Sequence, residues 1–253
     1  MNVELVKRRL HHHDTGTFAV NRQKLNVGEG ETQAVGQYLT GISLGTSEDD
    51  RTSRAIRVRD LLMRVYIGYF PIGSTTTLIP GQVRMLIVHD RQPEAAYDPV
   101  EEADEQMDLS ATDGSGVTLL QKILQDATDP VRSFPNRNYF HRFNILYDDQ
   151  VLVGAAGQTV EPSDFEWAVG HPFVEAAVPL ELDLRYDGTG NRLSDHGNGA
   201  IYAIFVAQYS QDQTVNGNKV FTDGIGGAFS HTGNAAVEGM SVQTHFRLRF
   251  HDL

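Results

Sequence analysis

Apolar residues along this chain recur at every second position far more often than at helical spacing. The C-terminal segment is the cleanest case. Val242, Thr244, Phe246, Leu248 and Phe250 fall on one face of an extended segment, and Gln243, His245, Arg247, Arg249 and His251 on the other. From Ala55 the period is again two. Val65, Ile67 and Tyr69 share one face, Tyr66 and Phe70 the other, as in a strand buried between layers, and Pro71 and Gly73 end it. Residues 81–89, GQVRMLIVH, predict a second strand that stops at Asp90-Arg91-Gln92-Pro93. Phe143, Ile145 and Tyr147 alternate in a third, with Asp148-Asp149 expected as a turn before Val151 and Val153. In residues 172–186, Val178, Leu180, Leu182 and Leu184 point one way, and Asp187-Gly188-Thr189-Gly190-Asn191 is turn chemistry. Residues 200–209, AIYAIFVAQY, predict a near-continuous apolar strand, and a short strand is expected at 219–222.

One segment follows a different period. In VTLLQKILQ, residues 117–125, Leu120, Ile123 and Leu124 stand at i, i+3 and i+4, which predicts a short amphipathic helix. Residues 93–116 are an acidic loop, and residues 1–35 have no firm period. No βαβ alternation and no long repeat is visible. The economical expectation is all-β: an eight-stranded antiparallel jelly-roll sandwich with one short helix and long loops. It divides into an N-terminal arm over residues 1–41, partly extended and interior to any assembly, and one domain over residues 42–253.

Composition narrows the function. With 253 residues, 40% hydrophobic and 21% charged, the chain is long enough for a sizeable core. It has no cysteine, which excludes disulfides and thiolate metal sites. No apolar run is long enough to span a bilayer as a helix, so no membrane insertion is expected. The net charge is −12. The first 24 residues hold five basic side chains, Lys7, Arg8, Arg9, Arg22 and Lys24, against Glu4 and Asp14, leaving −15 on the rest. Such a field repels polyanions at long range, so any nucleic-acid contact must be local.

Four blocks carry a resemblance. The first is ISLGTSEDDRTSRAIRVRDLLMRVYIGYF, residues 42–70, a polar turn that leads into a long strand. The second is VRMLIVHDRQP, 83–93, and the third NYFHRFNILYDDQVLV, 138–153. The fourth joins LDLRYDGTG and NGAIYAIFVA to the closing HFRLRFHDL. In order and spacing they resemble the capsid (coat) proteins of circular Rep-encoding single-stranded DNA viruses, and are similar to coat proteins of the satellite tobacco necrosis virus type. The resemblance covers residues 42–253 and implies a structural protein, not an enzyme. It implies self-assembly of roughly 60 copies into a small icosahedral shell around a viral genome, in a virion assembled inside the host cell. The implied partners are further copies of the chain, single-stranded nucleic acid and a host receptor. The departure is the arm, where such proteins carry a long Arg/Lys-rich run.

Other chemistry is thinly signalled. Gly41-Ile42-Ser43-Leu44-Gly45 fits G-x-S-x-G, but no strand-to-helix turn of a parallel sheet surrounds it, so no catalytic residue is assigned. His89, His141, His171, His196, His231, His245 and His251 are scattered singly, and no metal ligand or cofactor is assigned. A cupin-like metal-dependent enzyme would need several of them to meet in one cavity. A carbohydrate-binding module would need exposed aromatics, for which the lone Trp167 offers little. Glu48-Asp49-Asp50, Asp148-Asp149 and Asp187, Asn191 and Asp195 offer oxygen ligands for a structural calcium, without the spacing of a dedicated motif. The sharpest candidate is a basic stripe. Arg57 and Arg59 share a face of the first long strand; His245, Arg247 and Arg249 share a face of the last. If those strands pair, the faces merge into a patch for phosphates which, with Lys7, Arg8, Arg9, Arg22 and Lys24, makes the candidate nucleic-acid-binding set. The competing expectation is that these cations pair with acids such as Asp60, or with acids on a neighbouring subunit.

Overall fold

Strict alternation at the two ends of the domain makes the longest contact of the fold. In a computed structural model, the structure describes residues 9–13, 34–46, 50–70, 81–98, 106–107, 109, 112–126, 130–153, 173–209, 214–215, 218–219 and 239–253. There β3 (Ala55–Phe70) and β12 (Gly239–Asp252) pair antiparallel, from Ile56 opposite Asp252 to Phe70 opposite Gly239. β7 (Phe173–Tyr186) lies on the other side of β3. β1 (Arg9–His13) and β8 (His196–Asn198) are the edges, giving a five-stranded sheet in the order β1-β12-β3-β7-β8. The second sheet runs β5-β2-β9-β4-β6, from β2 (Ala34–Tyr38), β4 (Gly81–Asp90), β5 (Gln106–Met107), β6 (Phe143–Val153) and β9 (Ala200–Tyr209). β10 (Thr214–Val215) and β11 (Asn218–Lys219) form a hairpin. All the pairings within these sheets are antiparallel.

The long strands are those the hydrophobic pattern predicts; β1, β2, β5 and β8 are short pieces that it does not resolve. β1 and β2 lie within residues 1–41, so part of that segment is built into the two sheets. One expectation is corrected. Asp148-Asp149 is not a turn, because β6 runs unbroken from Phe143 to Val153. The physical reason is Arg84, buried in the middle of β4. Its Nε and Nη2 donate to the Asp148 carboxylate at 2.7 and 2.6 Å, and its Nη1 donates to the carbonyls of Pro130 and Ser133. The acid pair is cross-strand chemistry, where the sequence reads as turn chemistry.

Two cores follow. The first fills the space between the sheets, with Ile56, Val58, Leu61, Met63 and Val65 of β3 facing Val83, Met85 and Ile87 of β4 and Ile201, Ala203 and Phe205 of β9. The second lies on the other face of the β4 sheet. Leu86, Val88, Tyr202, Ile204 and Val206 are there covered by Tyr97, Leu109, Val131 and the helix α1 (Leu119–Ile123). That is why residues 200–206 read as continuously apolar: β9 is buried on both faces. Thr118 caps α1 in a capping box with Gln121.

Ionisable groups pin the second layer. Asp90, fully buried at the end of β4, accepts two hydrogen bonds from Arg142 at 2.8 Å each and one from the Tyr202 hydroxyl at 3.0 Å. Arg142 also reaches Glu94, which pairs with the buried Lys122 of α1 at 3.3 Å; Lys122 reaches Asp113 at 2.5 Å. Burial alone would lower the Lys122 ammonium, but bonding to Asp113 and Tyr97 raises it overall. A second cluster ties the sheets together at one end. The Tyr38 hydroxyl of β2 donates to the Thr40 carbonyl and meets His196 Nε2 of β8, while the Tyr186 ring of β7 lies tilted against the imidazole, 4.3 Å between centroids. Arg51 lies over the Tyr186 ring and donates to the carbonyls of Ile42, Ser53 and Gly188. Gly199, at φ +73, turns the chain from β8 into β9; a Cβ there would lie 2.5 Å from the Leu184 side chain.

Two outcomes follow from these clusters. Arg142→Leu leaves Asp90 buried and uncompensated and is expected to cost about 3–5 kcal/mol in urea unfolding, whereas Arg64→Leu, at an exposed pair, leaves the midpoint nearly unchanged. Burial, aided by the Arg51 charge, lowers the His196 imidazole to about 4. Its folded value is thus below its unfolded one, so the unfolded chain binds more protons and stability falls as pH drops from 6.5 toward 4. Between those limits wild type should lose roughly 2–4 kcal/mol more than His196→Gln, by urea unfolding at each pH.

Candidate functional site

The outward face of the β3 sheet gathers the predicted basic residues. Because β12 pairs with β3 and β3 with β7, residues on this face fall into rows. His251, Arg57 and Asp183 form one; Arg249, Asp60 and Pro179 the next; then Arg247, Leu62 and Ala177; then His245, Arg64 and Glu175. A bulge interrupts the register between Val58 and Asp60 of β3, where Arg59 is the extra residue. Opposite it, Glu181 of β7 adopts φ +48. The bulge moves the inward face of β3 from Ile56 and Val58 to Leu61, Met63 and Val65, all buried, without exposing an apolar side chain.

The cations on this face are mostly engaged. Arg57 binds Asp183 through two bonds, at 2.5 and 2.8 Å, with both side chains about half exposed. Bonding to Asp183 raises the Arg57 guanidinium, and the same bond lowers the Asp183 carboxyl. Arg59 pairs with Glu181 and Arg64 with Glu175, each at 3.3 Å. Arg249 binds Asp60 through Nε and Nη2, which raises its guanidinium. Arg247 is exposed and has no ion pair among the described residues. Arginines on this face thus lie mainly on β12 and β3, with Asp60 among them, and β7 carries Glu175, Glu181 and Asp183 together with the exposed Arg185. Pairs this exposed contribute little to stability individually, but the two-point bonds fix the arginine planes.

The structure thus brings Arg57, Arg59, His245, Arg247 and Arg249 onto one sheet face. Arg9 is in β1, opposite Phe250 of β12. Lys7, Arg8, Arg22 and Lys24 lie outside the described residues. Pattern reading missed the β7 acids. Glu175, Glu181 and Asp183 occupy outward positions of a strand whose inward positions are Val, Leu and Leu, and matching outward charges between predicted strands would have found them.

Other candidates are dispersed. His89 is buried on β4, lowered by burial and by Arg91; His141 is exposed in a turn; His196 belongs to the aromatic cluster. His171, His231 and Trp167 lie outside the described residues, as do Glu48 and Asp49. Among the described residues no three His, Asp or Glu side chains converge as metal ligands. Asp148 is held by Arg84, and Asp195 accepts from the Arg192 amide. Ser43 sits in the loop between β2 and β3, its carbonyl bonded to the Arg51 amide, and among the described residues no helix lies between it and β3. No protein-family model and no curated protein matches the chain.

If the β7 carboxylates are what keeps this face from phosphates, Glu175→Gln, Glu181→Gln and Asp183→Asn together should tighten binding of a single-stranded oligothymidylate at low salt. Each freed arginine should steepen the log K against log salt plot by up to ~0.7, read by fluorescence anisotropy. An unchanged slope would show that phosphates do not reach the face.

Proposed function

We propose that this chain is the structural subunit of a small icosahedral shell, a jelly-roll coat protein of the kind found in single-stranded DNA viruses, and that it has no catalytic role. The observation that carries the reading is nested strand pairing. β1 pairs with β12 in one sheet and β2 with β9 in the other, and inside them β3 pairs with β7 and β4 with β6. A chain wrapped in this outside-in order is the one a jelly roll requires. Exposed apolar side chains supply the second support: Phe134 and Phe140, beside α1, are 77% and 53% exposed, and Leu152 at the end of edge strand β6 is 73% exposed. Large apolar groups left in water are what a subunit buries against its neighbours.

Within this reading genome contact is a minor part of the chain's task. Arg57, Arg59 and Arg249 already hold carboxylates, which a phosphate would have to displace. Contact with single-stranded nucleic acid then falls to Arg247 and the arm cations Lys7, Arg8, Arg9, Arg22 and Lys24. The shell forms through repetition of subunit contacts, with closed symmetry making many modest contacts into one stable particle.

Purified protein is expected to form closed particles of uniform size by negative-stain electron microscopy and light scattering. Absorbance at 260 against 280 nm reads whether nucleic acid is packaged. A monomer near 28.0 kDa across salt and pH overturns the proposal.

A further inference from the structure

We propose that this chain closes an amide bond within itself, joining Nζ of Lys122 to the side-chain carboxyl of Asp113 with loss of one water, and that Glu94 carries a proton in the step. The bond goes beyond the shell reading, because it forms within a single copy, with or without a closed particle.

Side chains from three segments meet at one nitrogen. Lys122, on α1, has a side chain only 3% exposed, and its Nζ lies 2.5 Å from Asp113 Oδ2. The two oxygens of Glu94 lie 3.3 and 3.4 Å from the same Nζ, and the Tyr97 ring lies 5.4 Å from it. The turn bearing Asp113 is tied to the start of α1. The Asp113 amide donates to the Val117 carbonyl, and Thr112 bridges to Thr118. The two oxygens of Asp113 have different surroundings. Oδ1 accepts from the Ser115 amide at 2.8 Å, the Ser115 hydroxyl at 2.5 Å and the Val117 amide at 3.2 Å, while Oδ2 faces the amine. The donors that close the turn therefore hold the oxygen on which charge would develop in acyl transfer. Glu94 is divided in the same way. Arg142 holds its Oε1, which leaves Oε2 to take and return a proton.

At rest the pair is ionic. Burial opposes the Lys122 charge, but the bond to Asp113 outweighs burial, and the same bond lowers the Asp113 carboxyl. The reactive form is one proton away along the same contact. Once a proton passes from Nζ to Oδ2, a neutral amine faces a carboxylic acid. Nζ attacks Cγ, and the electron pair of the carbonyl moves onto Oδ1, where three donors meet it. Glu94 Oε2 takes a second proton from the nitrogen and returns it to Oδ2, which leaves as water while Oδ1 re-forms its double bond. The third proton stays on the amide nitrogen, and Glu94 ends as it began. The ionic resting state makes this step slow. Lasting contact offsets that, because well-oriented groups within one molecule react as if at about 10⁵–10⁸ M. The product is a ring over residues 113–122 that fixes the turn to α1.

Intact-mass spectrometry of the denatured full chain reads the bond directly. The wild-type mass should fall below that of the sequence by one water, and trypsin should no longer cleave after Lys122. Asp113 precedes Gly114, so ring closure onto the Gly114 amide would also remove a water. That product needs no lysine and leaves Lys122 open to trypsin, whereas the amide proposed here is lost in Lys122→Arg, which should keep its full mass. Glu94→Gln, with circular dichroism matching wild type, should lose water about 10²–10⁴-fold more slowly in samples taken from the end of expression onward. A wild-type chain of full mass, cleavage after Lys122 in the dehydrated chain, or equal loss of water from Lys122→Arg overturns the bond. A Glu94→Gln chain that closes as fast as wild type overturns the part given to Glu94.

Discussion

The antiparallel zip between β3 and β12 is the contact on which the remaining structure depends. It joins residues nearly two hundred positions apart in sequence, so it forms only after the chain between has been ordered enough to bring its ends together. Pairings of such long range fold slowly and cooperatively. Once made, it fixes both sides of the sheet at once. Inward, Phe246, Leu248 and Phe250 complete the layer opposite β4 and β9. Outward, Arg247 and Arg249 come into register with Leu62 and Asp60. One register decides core and surface alike, because a slip by one residue would exchange them.

The second layer is held on a different principle. Residues between β4 and β6 cover the far face of the β4 sheet with apolar side chains such as Tyr97, Leu119, Leu120, Ile123 and Val131, and buried charge completes the attachment. Asp90 has partners for both carboxylate oxygens, and Arg84 donates to one carboxylate and three carbonyls. Such groups are costly to bury unless every donor and acceptor is answered, and they tolerate few alternative arrangements when they are. Arg51 does the same for the turn before β3 without any carboxylate, through three backbone carbonyls and the Tyr186 ring. Its charge, set beside His196, is one reason that imidazole stays neutral.

The parts of this architecture legible in the sequence are those where one side chain's surroundings repeat along a strand. β12 alternates without a break and β9 is apolar throughout, and both appear where the pattern puts them. Pattern failed where an ionisable residue answers a partner far away in sequence. Asp148 has the composition of a turn, yet Arg84, 64 positions earlier, makes it a strand residue. Arg84 within VRMLIV and Lys122 within LLQKIL were the available signals, since a charge at a core position implies a buried partner without naming it. Tyr38, Tyr186, Arg51 and His196 left no comparable trace. They come from four separate elements, and each alone is unremarkable in its own segment.

The outward face shows how placement changes the meaning of charge. Counted along the sequence, Arg57, Arg59, Arg247 and Arg249 are a basic stripe; counted across the sheet, each of three has a carboxylate one strand away. A phosphate approaching this face gains an arginine only by displacing an acid that stays nearby and repels it. The net charge of −12 adds to that opposition at long range.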